Sequence, residues 1–152
     1  MDKTELKEGL IEAGKAHVEG KIFSVQKAID DLEDALKLET KCSMGDKYET
    51  GRAMLHLEFE KLAVQMEELK KLKKTLSLVP SKKLLETVTF GSVVITSQAN
   101  YFVAIPAGKF VVNSEEFFAV GANAPVAKAL LSHQKGDEVI FNGNSITIKD
   151  VF

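Results

Sequence analysis

Thr40-Lys41-Cys42-Ser43-Met44-Gly45, residues 40–45, decides how this chain folds, because it is a short polar break between two charged stretches with matching apolar seams. On its N-terminal side no proline occurs from Thr4 to Glu39. There Ile22, Val25, Ile29, Leu32 and Leu36 follow steps of three and four that set them on one helical stripe. Ile11 and Val18 carry the stripe backwards. On the other side, from about Glu49 to Leu76, the seam is Leu55, Phe59, Leu62, Met66, Leu69, Leu72 and Leu76. Neither helix holds a core of its own. The break is short enough to reverse the chain, so the two stripes are expected to zip together as an antiparallel coiled-coil hairpin. An arm of about 35 residues is roughly 50 Å long, so its tip is expected to project beyond the rest of so small a protein. Gly9, Gly14 and Gly20 lower the helix propensity of its first turns.

Beyond Leu76 the pattern changes at Ser77-Leu78-Val79-Pro80-Ser81, where Pro80 cannot continue a helix. A boundary there divides the chain into a hairpin, residues 1–79, and a β-rich domain, residues 80–152. Thr87 to Thr96 is rich in β-branched residues, and Tyr101 to Ile105, Lys109 to Val112 and Glu116 to Val120 are short apolar runs that read as strands. Asn142-Gly143, between Glu138 to Phe141 and Ser145 to Ile148, predicts a two-residue hairpin turn. One short helix interrupts the strands, opening at Pro125, whose missing N–H is harmless at a first helical position. The fold class is α+β.

The 152 residues carry 45% apolar and 28% charged residues, the balance of a folded domain, with a net charge of -2. Such a charge gives no global attraction to nucleic acid or anionic membrane, so any polyanion must meet a local patch. Cys42 is the only cysteine, which excludes an internal disulfide and a thiolate cluster within the chain. No apolar run approaches the roughly 18 residues of a membrane span, and no leader pattern opens the chain, so a cytoplasmic protein is expected.

At the break, Ser43 can accept a backbone N–H as a helix cap while Asp46 reaches back towards it. Glu49 follows Asp46 at i+3, so both carboxylates share a face of a first helical turn, where the helix dipole favours anions. From spacing alone capping is the commoner explanation. Lys41, Lys47 and Arg52 flank the pair, and are either a local basic patch able to meet phosphates or ordinary solvated charges. Tyr48 lies between the carboxylates with a ring that can stack on a base. Lys70, Lys71, Lys73 and Lys74 suit the negative end of the second helix, and His17, His56 and His133 show no metal-ligand spacing.

Gly45-Asp46-Lys47-Tyr48-Glu49 at the end of a helical hairpin resembles the acidic tip of the bacterial Gre transcript-cleavage and elongation factors, where an Asp and a Glu keep this spacing. Ala124-Pro125-Val126-Ala127-Lys128-Ala129-Leu130-Leu131-Ser132-His133-Gln134-Lys135-Gly136-Asp137 is similar to the C-terminal signature of that family, in which a Ser-Pro pair opens a helix ending near Gly-x-x-x-Gly-Asp. Phe90-Gly91-Ser92-Val93-Val94 resembles the strand that opens the same domain. The order of hairpin, linker and β-rich domain is also the family's. The chain departs from the pattern at Ala124 for Ser, at Ser132 for Gly, and at Thr50-Gly51-Arg52-Ala53 for an Asn-Ala-Glu-Tyr run.

The resemblance implies an FKBP-like C-terminal domain that docks through Ala124 and Pro125 on the rim of the RNA polymerase secondary channel while the hairpin enters it. Asp46 and Glu49 would then serve as catalytic ligands for a second Mg²⁺ beside the one polymerase holds, acting on the 3′ end of backtracked RNA. Hydrolysis of a phosphodiester uses two cations about 3.5 to 4 Å apart, and a bare carboxylate pair is a sensible supplement for a hard, hydrated Mg²⁺. The chain by itself is expected to bind metal poorly, to cut nothing, and to act as a monomer. Three rivals stand beside this reading: a channel-blocking regulator without cleavage, an FKBP-like prolyl isomerase or chaperone, and a coiled-coil scaffold.

Overall fold

The computed structural model describes the backbone of residues 2–41 and 46–152 and the side chains of residues 2–38 and 50–152. Helix α1 spans Lys3–Lys41 and α2 spans Asp46–Ser77; then follow β1 Val93–Thr96, β2 Asn100–Ala104, β3 Gly108–Val112, β4 Glu115–Gly121, α3 Pro125–Leu130, β5 Glu138–Phe141 and β6 Asn144–Val151. This is the expected α+β architecture, a helical hairpin followed by a sheet domain with one short helix. The chain divides into two compact units, Met1–His17 with Lys74–Phe152, and Val18–Lys73.

In the unit Val18–Lys73 the expected seam is the covered face. Ile29, Leu32 and Met66 are buried, and Ile22, Val25, Leu36, Leu55, Phe59, Leu62, Leu69 and Leu72 are half-buried. The helices run antiparallel: Lys21, Ser24 and Val25 of α1 line a groove with Gln65, Leu69 and Leu72 of α2, and Glu19 approaches Lys73 at 4.0 Å.

In the other unit the strand order is β3-β4-β2-β1-β6-β5. Only β2 and β4 pair in parallel; the other neighbours are antiparallel, with a register shift between Ile95 and Thr96 where β1 meets β6. Asn142 and Gly143 turn the β5–β6 hairpin at φ 50 and 77, the left-handed pair that such a turn requires. One sheet face packs Val94, Val103, Val139, Ile148 and Val151 against Ala127 and Leu130 of α3. The alternate residues Phe102, Phe110 and Phe117 are buried on the opposite face, where the ring of His17 meets that of Phe110 edge-on at 6.0 Å.

The start of α1 is better anchored than its glycines suggest. Asp2 caps it, accepting the Glu5 N–H at 2.8 Å on its side chain and the Leu6 N–H at 3.0 Å on its carbonyl. A Cβ at Gly14 would lie 2.9 Å from Cδ2 of the buried Leu76, so this glycine lets α1 approach α2 closely. Lys7 is wholly buried and donates to the Lys83 carbonyl at 3.1 Å. Burial brings its amine down to about 8.

The strand expected over Thr87 to Thr96 is shorter, beginning only at Val93. Thr87 makes an isolated bridge to Gln134. The Ser92 hydroxyl then donates to the Thr89 carbonyl at 2.7 Å and accepts the Thr89 N–H at 3.2 Å, closing a turn in which Gly91 takes φ 89. Local side-chain bonding there displaces the β-branched preference.

Candidate functional site

The hairpin reversal is bracketed by Lys41, the last residue of α1, and Asp46, the first of α2. Asp46, Lys47, Tyr48 and Glu49 therefore form the first turn of α2, whose unpaired N–H groups carry partial positive charge. The side chains of Lys41, Asp46, Lys47, Tyr48 and Glu49, and the cap expected from Ser43, lie outside the described residues. Arg52 is one turn further on. It is exposed and donates from Nε to Nε2 of His56 at 3.4 Å along the same helix.

Among the described residues no group of three or more His, Cys, Asp or Glu side chains is set to hold a metal ion. The expected metal-binding pair, Asp46 and Glu49 at i and i+3, lies outside the residues on which that statement rests. Two carboxylates fit a cation that keeps most of its shell as water and phosphate, which is the habit of Mg²⁺, and do not fit a resident ion enclosed by protein.

The C-terminal candidates lie at the start of α3. Ala124 is its N-cap at φ -63 and ψ 146, with no side-chain cap bond. Its carbonyl accepts the Lys128 N–H at 2.9 Å and its own N–H bonds the Gly121 carbonyl at 3.0 Å, so the backbone keeps the cap that a Ser side chain would otherwise reinforce. Pro125 is exposed at the first helical position. Beyond α3, Ser132 adopts φ 67, the left-handed conformation for which the resembled signature has Gly. Two backbone bonds pin it there, from the Ser132 N–H to the Val88 carbonyl at 2.9 Å and from the Val88 N–H to the His133 carbonyl at 2.8 Å. Asp137 closes the segment, accepting the Gln134 N–H at 2.9 Å and pairing with His133 Nδ1 at 3.2 Å. The Gln134 N–H first, and His133 after it, hold its carboxyl below the usual range.

Sequence reasoning missed Lys7. The signal was present, because stepping the α1 stripe back four places from Ile11 lands on it.

No protein-family model matches the chain, and no curated protein matches it either. Among solved structures it is similar to one described as "Structure of the transcription factor Gfh1", at 18% identity, over 91% of this chain and 93% of that chain, with a TM-score of 0.36. No helix among the described residues is long and apolar enough to cross a membrane.

Proposed function

We propose that this chain is a Gre-like factor that works in the secondary channel of RNA polymerase and stimulates that enzyme's own cleavage of backtracked RNA. One observation carries the reading: α1 ends at Lys41 and α2 begins at Asp46, so the acidic pair of the resemblance occupies the first turn after the reversal. Asp46 and Glu49 would hold Mg²⁺ jointly with polymerase and the RNA. Bound there, the ion supplies Lewis-acid stabilisation of charge developing on a phosphodiester oxygen. Lys41, Lys47 and Arg52 offer cations to the RNA phosphates, and Tyr48 a ring to a base. Ala124 and the exposed Pro125 are the docking positions. The chain is not a nuclease alone, and its place of work is the cytoplasm.

The test is a stalled elongation complex supplied with Mg²⁺ and the full chain. The transcript is expected to shorten from its 3′ end, and the Asp46→Asn/Glu49→Gln double variant to lower the stimulated rate by about a hundredfold or more. Equal shortening by the double variant would sink the metal-ligand role, and no shortening by the wild type would sink cleavage stimulation. A second reading, a channel regulator without cleavage, is favoured by Thr50-Gly51-Arg52-Ala53, where the Arg52 guanidinium is already engaged along its own helix by His56. In the same assay such a regulator slows nucleotide addition and leaves transcript length unchanged.

A further inference from the structure

Two turns of the sheet share a left-handed backbone and differ in the residue that follows an asparagine. Asn113-Ser114 joins β3 to β4 at φ 54 and 65, and Asn142-Gly143 joins β5 to β6 at φ 50 and 77. Both turns are exposed, and each adjoins an edge strand of the sheet. In the second turn the residue after asparagine has no side chain, and nothing lies within 4 Å of where its Cβ would be built, so its nitrogen is open to approach. Ladder pairing of β5 with β6 ends at Phe141 and Asn144, which leaves the Gly143 N–H outside the ladder. Among Asn100, Asn113, Asn123, Asn142 and Asn144, the asparagines of the chain, only Asn142 precedes glycine.

We infer that Asn142-Gly143 is a site of spontaneous covalent modification, at which water converts the asparagine to aspartate and isoaspartate. The Gly143 backbone nitrogen gives its proton to hydroxide and attacks Cγ of Asn142. A nitrogen–carbon bond forms, the Cγ–Nδ2 bond breaks, and ammonia leaves with a proton taken from water, so that a five-membered cyclic imide remains. Water then opens the imide at one of its two carbonyls. Breaking the Cγ–N bond gives aspartate, and breaking the backbone C–N bond gives isoaspartate; nothing is oxidised or reduced. The ring closes once the Asn142 Cα–C bond rotates out of the turn, and the end of a hairpin on a four-residue edge strand is where such opening costs least. At Asn113 the Cβ of Ser114 hinders the same approach. Both products add a carboxylate. Isoaspartate also adds a methylene to the main chain of a two-residue loop, and the length of such a loop sets strand register, so β5 loses its alignment on β6. Val139 of β5 shares a core cluster with Ala127 and Leu130, so the loosening reaches α3. The modification depends on the turn by itself and stands whether or not the chain acts on polymerase.

Mass spectrometry of the intact chain, held in warm, mildly alkaline buffer and sampled over weeks, decides it. One gain of about 1 Da is expected, mapped by peptide fragmentation to Asn142, with isoaspartate among the products. Asn142→Gly, which the left-handed turn accepts, removes that gain. Ser114→Gly, equally suited to its φ of 65, makes Asn113 convert at least about tenfold faster than in the wild type. An Asn142 that stays intact in the folded chain, while the same chain unfolded in guanidinium converts, overturns the proposal. So does wild-type conversion at Asn113 as fast as at Asn142, or an Asn113 indifferent to Ser114→Gly.

Discussion

Helix α1 is one continuous element built in two regimes. Over its first turns, counted in one compact unit with the sheet, Leu10 and Ile11 are buried, Lys7 is buried with them, and Gly14 is buried against Leu76. Further along, in the other unit, Ile29 and Leu32 are buried, but Phe23 and Leu38 are exposed to 73% and 64%, and Gly20 meets nothing within 4 Å. The same residue types carry different physical meanings in the two stretches. In the first, tertiary packing overrides charge and propensity. In the second, the seam alone is covered, and the other side chains face outward.

The largest effect that would break this contrast is at Lys7. Its folded value of about 8 lies below the 10.5 of an unburied lysine, so the folded chain gives up this proton more readily than the unfolded chain. The penalty for burying the charge is therefore full below pH 8 and is relieved as pH rises from about 8 towards 10.5. It amounts to up to roughly 3 kcal/mol. Denaturant unfolding at successive pH values is expected to show stability rising through that window, and Lys7→Met to flatten the rise. Near pH 7 the variant is more stable than wild type by about 1 to 2 kcal/mol, because the lost bond to the Lys83 carbonyl offsets part of the gain. A wild-type profile flat from pH 7.5 to 10 would mean that Lys7 is not buried in solution.

The next effect compares glycines. At Gly14 a Cβ would already press on the Leu76 side chain, which is 1% exposed and would have to shift within the packed interior. Gly14→Val therefore overpacks the approach of α1 to α2, and a loss of about 2 kcal/mol is expected by thermal or denaturant unfolding. A stabilised Gly14→Val would show that the close approach does not persist in solution.

Much of this was legible in the residues, and the parts that were not share a cause. The steps of three and four from Ile22 to Leu36 and from Leu55 to Leu76 located the covered stripes, because burial along a helix obeys its own period. Asn142-Gly143 and Pro125 located a turn and a helix start, because each needs one special backbone conformation. The failures lie where a third element intervenes. Lys7 reads as a surface lysine until its buried amine is found donating to the Lys83 carbonyl, and Thr89 to Ser92 reads as strand until the Ser92 hydroxyl closes a turn. The Asn113-Ser114 turn, at φ 54 and 65, lacks the glycine that would have announced it. At the candidate site the spacing of Asp46 and Glu49 identified the first turn of α2, but the same spacing serves a helix cap. A metal-binding role for them was implied only by the resemblance.

The smallest effect sharpens the comparison most cleanly, because it changes the same residue type in the same helix. Gly20 is exposed, and nothing lies within 4 Å of where a Cβ would be built, so an added methyl meets solvent. Its carbonyl accepts the Ser24 hydroxyl at 3.1 Å, and a methyl on the Cα leaves that bond in place. Gly20→Ala therefore changes only the backbone freedom lost on folding, and a gain of about 0.5 to 1 kcal/mol is expected. The gain should appear as an upward shift in the unfolding midpoint with an unchanged slope. Opposite signs for Gly14→Val and Gly20→Ala, six residues apart, would locate within one turn or two the place where α1 passes from being held by its neighbours to being held by its seam alone. A loss at Gly20 would put that place further along the helix.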